Sequence, residues 1–162
     1  MSKEKNSRPL QESEYVALAE FRYQLRRFLR HMEEEVRQFG INPQQYQLVL
    51  AIKGLPKSQV PSISCLAERM QLNHNSMVEL VDRCEERNML RRQRSSSDRR
   101  QVTLALTPDG EGLLRKLGSA ARQELRSIGP MLVESVLRLT DEKTVSAIGN
   151  KSRKTAIKKA GS

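Results

Sequence analysis

The sequence has few aromatic residues and no tryptophan. Phe, Trp and Tyr together make up 4% of its 162 residues, and hydrophobic residues make up 37%. The core must therefore consist mainly of Leu, Val, Ile, Met and Ala, which suits packed helices better than a β-sandwich. The length fits one compact domain, or a small domain with helical extensions.

The sequence also lacks the marks of an exported, membrane-spanning or metal-binding protein. The cysteines, Cys65 and Cys84, show no metal-ligand spacing, and residues 1–8 are polar with no apolar stretch behind them. The longest fully apolar run, 48–52, is too short to span a bilayer. We therefore expect a cytoplasmic protein with reduced thiols, no metal and no cofactor. Cys84 is expected in the core, whereas Cys65 is expected to be partly exposed, and a redox role for either stays open.

No catalytic arrangement is present in the sequence. It contains no Ser/His/Asp set, no glycine-rich phosphate loop and no metal cluster, so an enzyme is the least favoured class. Basic charge is what the chain has in excess: 29 Lys and Arg stand against 19 Asp and Glu, a net charge of +10. A chain with a pI near 10.1 is attracted to polyanions, meaning nucleic acid or an anionic membrane surface.

The first forty residues have a helical pattern. Apolar side chains recur at spacings of three and four from residue 10 to residue 39, and Gly40 follows as expected of a helix stop. This helix is too long, and its stripe of apolar residues too narrow, for it to lie wholly against its own domain. Asn42 predicts the N-cap of a second helix, with Pro43 at its first position and its end near Gly54.

The middle of the chain predicts two short helices after a loop. Residues 55–61 contain two prolines and are expected to form a loop, with one short edge strand around residues 59–60. Ser62 or Ser64 is expected to begin the next helix. Asn73 is a good N-cap for the following helix. We expect that helix to end at Asn88 in a left-handed conformation. The apolar positions of that last helix recur at i, i+3, i+4 and i+7: Met77, Leu80, Val81 and Cys84.

The period of the pattern then changes from helical to alternating. Residues 89–94 and 100–106 predict two strands joined by the polar turn 95–98, that is, a β-hairpin. Thr107-Pro108 is expected to begin a further helix that Gly129-Pro130 interrupts or kinks. A last helix is expected from Thr140, and the basic tail 151–162 is expected to fray.

This order of elements is that of a winged helix-turn-helix, in which the second helix of the turn offers its polar face to the major groove. Five arginines lie between residues 91 and 100, and such a hairpin tip can enter a minor groove. An arginine-rich hairpin alone is more often a solvated surface. The position of this hairpin directly after the amphipathic helix favours a DNA-binding function. The expected DNA-binding residues are Asn73, His74, Asn75, Ser76, Glu79, Arg83, Arg94, Ser95, Ser96, Ser97 and Arg99.

Four segments together resemble the MarR family of bacterial regulators: 64–70 (SCLAERM), 80–83 (LVDR), 98–100 (DRR) and 104–110 (LALTPDG). The motifs cover about residues 41–112. The resemblance implies a winged helix-turn-helix, mainly α with a small antiparallel β-hairpin, flanked by N- and C-terminal dimerisation helices. It also implies that Asp98 and Arg100 brace the wing.

The resemblance further implies a homodimer on double-stranded DNA. Its interface is expected to include Leu18, Phe21, Leu25, Val145 and Ile148. The expected segments are a disordered N-terminus 1–9, a dimerisation helix 10–40, a DNA-binding domain 41–107, dimerisation helices 108–150 and a frayed tail 151–162. Two-fold symmetry predicts a pseudo-palindromic operator with half-sites about one helical turn apart, bound by a repressor.

The sequence departs from the family pattern at three positions. Asn88 stands where the family usually has Gly, and Cys84 where it has Leu, which removes volume behind the recognition helix. Glu79 stands where the family often carries a basic or polar residue, so it is expected to repel phosphate or to accept a hydrogen bond from cytosine N4.

Many members of the family are released from DNA by small aromatic anions. Phe28, Met32, Tyr46 and Val49 are candidates for such a pocket, although the same residues are equally explained as core. The reactive cysteine of the family's peroxide sensors lies on the first helix, and this chain has none there. A thiol switch of that kind is therefore not expected.

A protein- or membrane-surface interaction module is the alternative reading. It would use a basic amphipathic helix, and the polar side of the first helix carries Arg22, Arg26, Arg30 and Arg37. The acidic run 33–35 on the same helix disfavours an anionic lipid surface.

Overall fold

The structure is a computed structural model that describes residues 9–94 and 102–140. Within these ranges it is mainly helical with one antiparallel hairpin, which confirms the expected fold class. The elements in chain order are α1 Glu12–Gln38, α2 Pro43–Lys53, α3 Ile63–Arg69, α4 His74–Glu86, β1 Leu90–Arg94, β2 Val102–Leu106 and α5 Pro108–Leu139.

The chain divides into two compact units, to which α1 and α5 both contribute residues. The helical unit is Met1–Leu29 with Glu124–Ser162, of which residues 9–29 and 124–140 are described. The winged helix unit is Arg30–Gln123, of which residues 30–94 and 102–123 are described. Each unit is built on a different kind of packing.

The helical unit buries few side chains. Ala17, Gln24, Ile128 and Ser135 are its buried residues among those described. The Gln24 amide is 1% exposed; its Nε2 donates to Glu20 Oε1 at 2.6 Å and lies 3.4 Å from Met131 Sδ. A polar side chain therefore occupies the contact between the two helices, while much of the apolar surface of this unit remains in solvent.

The winged helix unit has a continuous apolar core. Each of its helices and both strands contribute buried side chains, among which the fully buried ones are Val36, Leu48, Val49, Leu66, Met77, Leu80, Val81, Cys84, Leu90, Leu104 and Leu117. Burial of apolar surface at about 25 cal/mol per Å² is the main stabilisation available to such a unit. The strands are short and lie over this core as a two-stranded sheet.

The helix starts of the winged helix unit follow the expected capping residues. Asn42 Oδ1 accepts the Gln44 amide N–H at 2.9 Å, and the Gln45 side chain accepts the Asn42 amide N–H at 3.1 Å, which completes a capping box. Ser62, rather than Ser64, caps α3 by accepting the Cys65 amide N–H. These contacts satisfy backbone donors that a helix start leaves free.

The hairpin has the expected antiparallel arrangement. Arg92 pairs with Leu104 and Arg94 with Val102. Because side chains alternate between the two faces of a strand, Leu90, Arg92 and Arg94 lie on the same face of β1. Asn88, just before β1, has φ +54°, the left-handed conformation expected of it. Residues 95–101, which include the predicted turn, lie outside the described residues.

The edge strand predicted around residues 59–60 is wrong. The Gln59 N–H donates to the Pro56 carbonyl at 2.9 Å and the Ser62 N–H to the Val60 carbonyl at 2.8 Å, so this segment forms local turns. Its link to the sheet is one bond, from the Leu104 N–H to the Pro61 carbonyl. Prolines at 56 and 61 lack the N–H that continued pairing requires.

Of the two alternatives at Gly129-Pro130, the interruption is wrong, because α5 continues through both residues to Leu139, and the kink stays a prediction. A proline removes one backbone hydrogen bond of a helix. The buried neighbours Ile128 and Ser135 anchor the helix on either side of that gap. The last helix predicted beyond Thr140 lies outside the described residues, and none of the described helices is long and apolar enough to cross a membrane.

Candidate nucleic-acid interface

Helices α3 and α4 form a helix-turn-helix. Gln71 has φ +55°, a left-handed conformation that reverses the chain between them, and the Leu72 N–H bonds back to the Ala67 carbonyl at 2.9 Å. Asn73 then caps α4 by accepting the Ser76 amide N–H at 2.8 Å. The Asn73 side chain is thus engaged in holding the start of the helix, where backbone amides favour a nearby phosphate.

Helix α4 separates an apolar face from a polar one. Met77, Leu80, Val81 and Cys84 are buried on the inner face. The exposed residues of α4 that the sequence assigned to DNA are His74, Asn75, Glu79 and Arg83, with Ser76 half-buried. The polar face is therefore free to meet a ligand, and contact of these residues with DNA stays a prediction.

Arg92 of β1 ties the hairpin to α4. Its guanidinium pairs with Asp82 at 2.6 Å and with Glu85, and its backbone N–H donates to Glu85 Oε1 at 2.8 Å. Partial burial lowers the pKa of Arg92, but hydrogen bonds and charge from both carboxylates outweigh this and raise it. The guanidinium therefore stays charged and holds the strand against the helix.

Sequence reasoning missed this contact, because it grouped Arg92 with the arginines of the wing. The side chain of Arg92 is 29% exposed, less than its partners Asp82 and Glu85. The missed signal was the alternation of the strand: Arg92 lies two residues after buried Leu90, hence on the same face. An arginine on an inward face requires a carboxylate partner.

Arg91 and Arg94 are the exposed arginines of β1. Arg94 is the last residue of the strand, opposite Val102, so it stands where the hairpin leaves the sheet. Six further residues that the sequence assigned to the wing lie outside the described residues: Ser95, Ser96, Ser97, Asp98, Arg99 and Arg100. Their roles stay predictions.

The far end of the hairpin is held to α5 by a polar cluster. Thr107 Oγ1 donates to the Asn88 carbonyl and accepts the Gly110 N–H at 3.2 Å, and Asn88 Nδ2 donates to Asp109 at 2.7 Å. A Cβ on Gly110 would lie 2.0 Å from the Met89 carbonyl oxygen. These contacts explain why the segment 104–110 has Thr107, Asp109 and Gly110 at their positions.

Two more side chains fix the end of α4. Buried Gln45 of α2 donates to the Arg83 carbonyl at 3.1 Å, and Arg87 donates to the Gly40 carbonyl. Gly40 has φ +68°, a conformation that favours glycine. Helix α4 is therefore anchored at both ends and on its inner face.

The residues assigned to dimerisation have surface available for it. Leu18 is 37% exposed and Leu25 is 39% exposed, while Phe21 is half-buried. Val145 and Ile148 lie outside the described residues. An apolar side chain in water gains stability when a partner covers it, so the exposed pair fits an interface.

The residues assigned to a ligand pocket are mostly core. Met32, Tyr46 and Val49 are buried in the winged helix unit, and burial raises the pKa of the Tyr46 phenol. Phe28 belongs to the helical unit and is half-buried. Their burial is explained by packing, and a ligand-binding role stays a prediction.

The two thiols differ in environment. Cys84 is fully buried behind α4, and burial raises its pKa to about 12, which suppresses the reactive thiolate at neutral pH. Cys65 is half-buried, with Sγ 4.0 Å from Gln59 Oε1. In the described part of the chain, no His, Cys, Asp and Glu residues group as a metal site.

A family model described as MarR family matches residues 39–101. The HTH-type transcriptional repressor MdtR of Bacillus subtilis (strain 168) is 30% identical over 80 residues, which are 49% of this chain and 50% of that protein. The chain spans about half the length of the curated relatives it matches.

Solved structures share the fold over nearly the whole chain. AbsC, a MarR family transcriptional regulator from Streptomyces coelicolor, has a TM-score of 0.60 at 19% identity and covers 96% of this chain and 100% of its own. The S. aureus MepR–DNA complex has a TM-score of 0.57 at 16% identity and covers 91% and 98%. These likenesses establish a winged helix fold.

Proposed function

Since a MarR family model matches residues 39–101 of this chain, we propose that the protein is a transcriptional regulator that binds double-stranded DNA at specific sequences. The observation that carries the proposal is the exposed polar face of α4, held in a fixed position relative to the hairpin by Arg92. A helix that reads a major groove needs such a rigid support, because base contacts are short and directional.

The interface divides into reading and anchoring residues. Asn75, Glu79 and Arg83 are exposed on α4, where side chains can reach base edges. His74 and Ser76, near the helix start, can contact bases or phosphate. Arg94, at the end of β1, leads into the segment that would enter the minor groove. The S. aureus MepR–DNA complex shares this fold and contains DNA, which supports DNA as the ligand.

We further propose a homodimer that uses the helical unit. Leu18 and Leu25 expose apolar surface there, as do residues of α5 such as Val133 at 56%. A closed two-fold dimer would place two copies of α4 on a pseudo-palindromic operator, with half-sites about one helical turn apart. MdtR, a relative, is named a repressor, and we expect this chain to repress by occupying its operator.

Release by a small aromatic ligand is the last part of the proposal. Met32, Tyr46 and Val49 are closely packed, so an effector at these side chains would have to displace part of the core. Such a ligand would therefore act by changing the packing beneath the DNA-binding elements, and its binding would be seen as a shift in the unfolding temperature.

A gel-shift titration tests the proposal. Duplexes selected from a random library are titrated with the protein at several salt concentrations, with nonspecific competitor present. Binding should survive the competitor, and Arg94→Ala should weaken it about tenfold and reduce the slope of log affinity against log salt by about 1. Arg122→Ala, which removes an exposed charge from α5, is the matched control and should change little.

Two outcomes would contradict the proposal. One is the absence of any selected duplex that survives competitor. The other is binding to anionic vesicles without binding to duplex, which would favour the membrane-surface alternative.

A further inference from the structure

The recognition helix is acidic, although the chain as a whole is basic. Helix α4 contains four acidic side chains, at positions 79, 82, 85 and 86, and a single arginine at 83, whereas the chain has a net charge of +10. Carboxylates on a DNA-facing helix are repelled by phosphates. Each therefore needs a structural reason to be there.

Two of the four are explained by the ion pairs within the winged helix unit. Asp82 and Glu85 both pair with Arg92, so the single charge of Arg92 partly compensates theirs and their oxygens point to the hairpin. Glu79 is different: it is exposed, and it makes no hydrogen bond or ion pair with any residue in 9–94 or 102–140. Among the described residues, none uses the acceptor oxygens of Glu79.

Glu79 also lies on the part of α4 that enters a groove. It follows exposed Asn75 by four residues, so the two side chains are neighbours on one face, opposite buried Met77 and Leu80. In helix-turn-helix proteins the N-terminal part of the recognition helix contacts base edges. Glu86 shares this face but lies at the C-terminal end of the helix.

The chemistry of an ionised carboxylate selects one kind of base. A carboxylate only accepts hydrogen bonds. In the major groove, guanine presents two acceptors, thymine presents an acceptor and a methyl group, and the adenine amino group is flanked by the acceptor N7. Cytosine presents its N4 amino group with no acceptor beside it on the same base, so it suits a carboxylate best.

We infer that Glu79 is a specificity-determining residue that requires a cytosine in each half-site of the operator. The inference rests on the proposed function of α4 as the recognition helix. Asn75, about 6 Å away along the helix axis, is suited to adenine. Because base pairs rise about 3.4 Å, we expect an adenine within one or two base pairs of that cytosine.

Selection from a random duplex library tests the inference. The wild-type protein should select sites with one cytosine required in each half-site. Glu79→Gln should exchange that cytosine for adenine, because a Gln amide both accepts from N6 and donates to N7. Glu79→Ala should lose the preference at this position and keep the others. Glu86→Gln, which removes the same charge at the end of the helix, should leave the base preference unchanged.

A double-mutant cycle makes the assignment to the amino group direct. The cytosine of the selected site is replaced by 2-pyrimidinone, which lacks the 4-amino group. The wild type should lose about tenfold in affinity beyond the loss that Glu79→Ala shows with the same pair of duplexes. Equal losses for both proteins, or an unchanged cytosine requirement in Glu79→Ala, would overturn the inference. Failure of the wild type to select any motif would instead overturn the proposed function.

Discussion

The two units of this chain differ in where they place apolar side chains. Of the fifteen large apolar residues that are exposed among those described, eleven lie in the smaller helical unit. They are Leu10, Tyr15, Val16, Leu18, Tyr23, Leu25, Leu29, Leu125, Met131, Val133 and Leu137. The winged helix unit covers most of its large apolar residues with its own elements and exposes four of the fifteen. The difference indicates that one unit is complete as a fold, whereas the other is suited to cover a further surface.

The polar contacts differ in the same way. In the winged helix unit some ion pairs join separate elements, as Arg92 joins β1 to α4 and Lys53 joins α2 to Glu111 of α5, beside the i,i+4 pairs Arg30–Glu34 and Arg37–Glu33 within α1. In the helical unit, the ion pair of Arg138 with Glu134 lies within one turn of α5. Contacts between elements hold a surface in shape, which a DNA-reading surface needs, whereas i,i+4 pairs support only the helix that carries them.

The largest expected effect comes from placing charge on the exposed apolar residues of the helical unit. Leu18→Glu combined with Val133→Glu should abolish assembly, because a carboxylate buried in an interface lacks a partner. Sedimentation should shift from about 37 kDa to the 18.5 kDa of one chain. Affinity for a palindromic duplex should fall by at least about a hundredfold, because the second half-site is lost.

Val60→Glu is the matched control, since Val60 is 44% exposed in the winged helix unit. It should leave the sedimentation mass unchanged. A wild type that sediments as a monomer, or a double variant that remains dimeric, would remove the assembly role from the helical unit.

The next effect is in the core of the winged helix unit, at the close approach of α5 to the hairpin. Gly110→Ala would place Cβ 2.0 Å from the Met89 carbonyl oxygen, and the backbone must move to relieve this. We expect a loss of about 3 kcal/mol in the free energy of unfolding, measured by urea denaturation. Gly118→Ala, on the same helix with nothing within 4 Å, should instead gain about 0.5–1 kcal/mol. Equal effects of both substitutions would show that the packing at Met89 is unimportant.

A smaller effect is expected from the contact that holds the hairpin to the recognition helix. Arg92→Ala leaves Asp82 and Glu85 without their partner and should cost about 1–2 kcal/mol in the free energy of unfolding. DNA affinity should fall as well, because the hairpin is no longer held in place. Arg91→Ala removes a neighbouring exposed arginine and should change stability by less than about 0.5 kcal/mol. If both variants behave alike, Arg92 has no special role.

The smallest effect is expected at the Lys53–Glu111 pair, which is largely exposed at a separation of 2.6 Å. The hydrogen bond and charge of Lys53 lower the pKa of Glu111 from its ordinary value of 4.5. The stabilisation is therefore present above pH 4.5 and is lost as the pH falls through the lowered pKa. Glu111→Gln should lower the unfolding temperature slightly at pH 7, and the difference from wild type should vanish in acid.

The Lys53→Gln background tests that this effect belongs to the pair. There, Glu111→Gln should have a much smaller effect on the unfolding temperature, because of the groups that lower the pKa of Glu111 only the charge of Arg115 remains. An undiminished difference in that background would assign the effect to another neighbour of Glu111.

Local chemistry explains which parts of the fold could be predicted. Asn42 and Asn73 cap the helices that they were expected to cap, and Asn88 takes its left-handed conformation, because these choices depend on a few neighbouring residues. The strand predicted around residues 59–60 is wrong because it was placed without a pairing partner, and the prolines beside it direct the segment into turns.

The sequence predicted the exposed face of the candidate site but not the contacts that hold it in place. The polar face of α4 follows from the spacing of Met77, Leu80 and Val81, which turns the other residues outward. The pairing of Arg92 with Asp82 and Glu85 does not, because it joins residues ten and seven positions apart on different elements. The close approach of Gly110 to Met89 likewise depends on how α5 leaves the sheet.

The elements of this protein were present in its pattern of apolar spacing and capping residues, because helices and turns are decided over a few residues. The roles of its charges were not. A count of five arginines near the hairpin could not separate Arg92, which braces α4, from Arg94, which faces solvent. Nor could the sequence separate Asp82, which is paired, from Glu79, which has no partner in the described part of the chain. Those roles depend on which side chains the fold brings within hydrogen-bond distance, and long-range packing alone sets those distances.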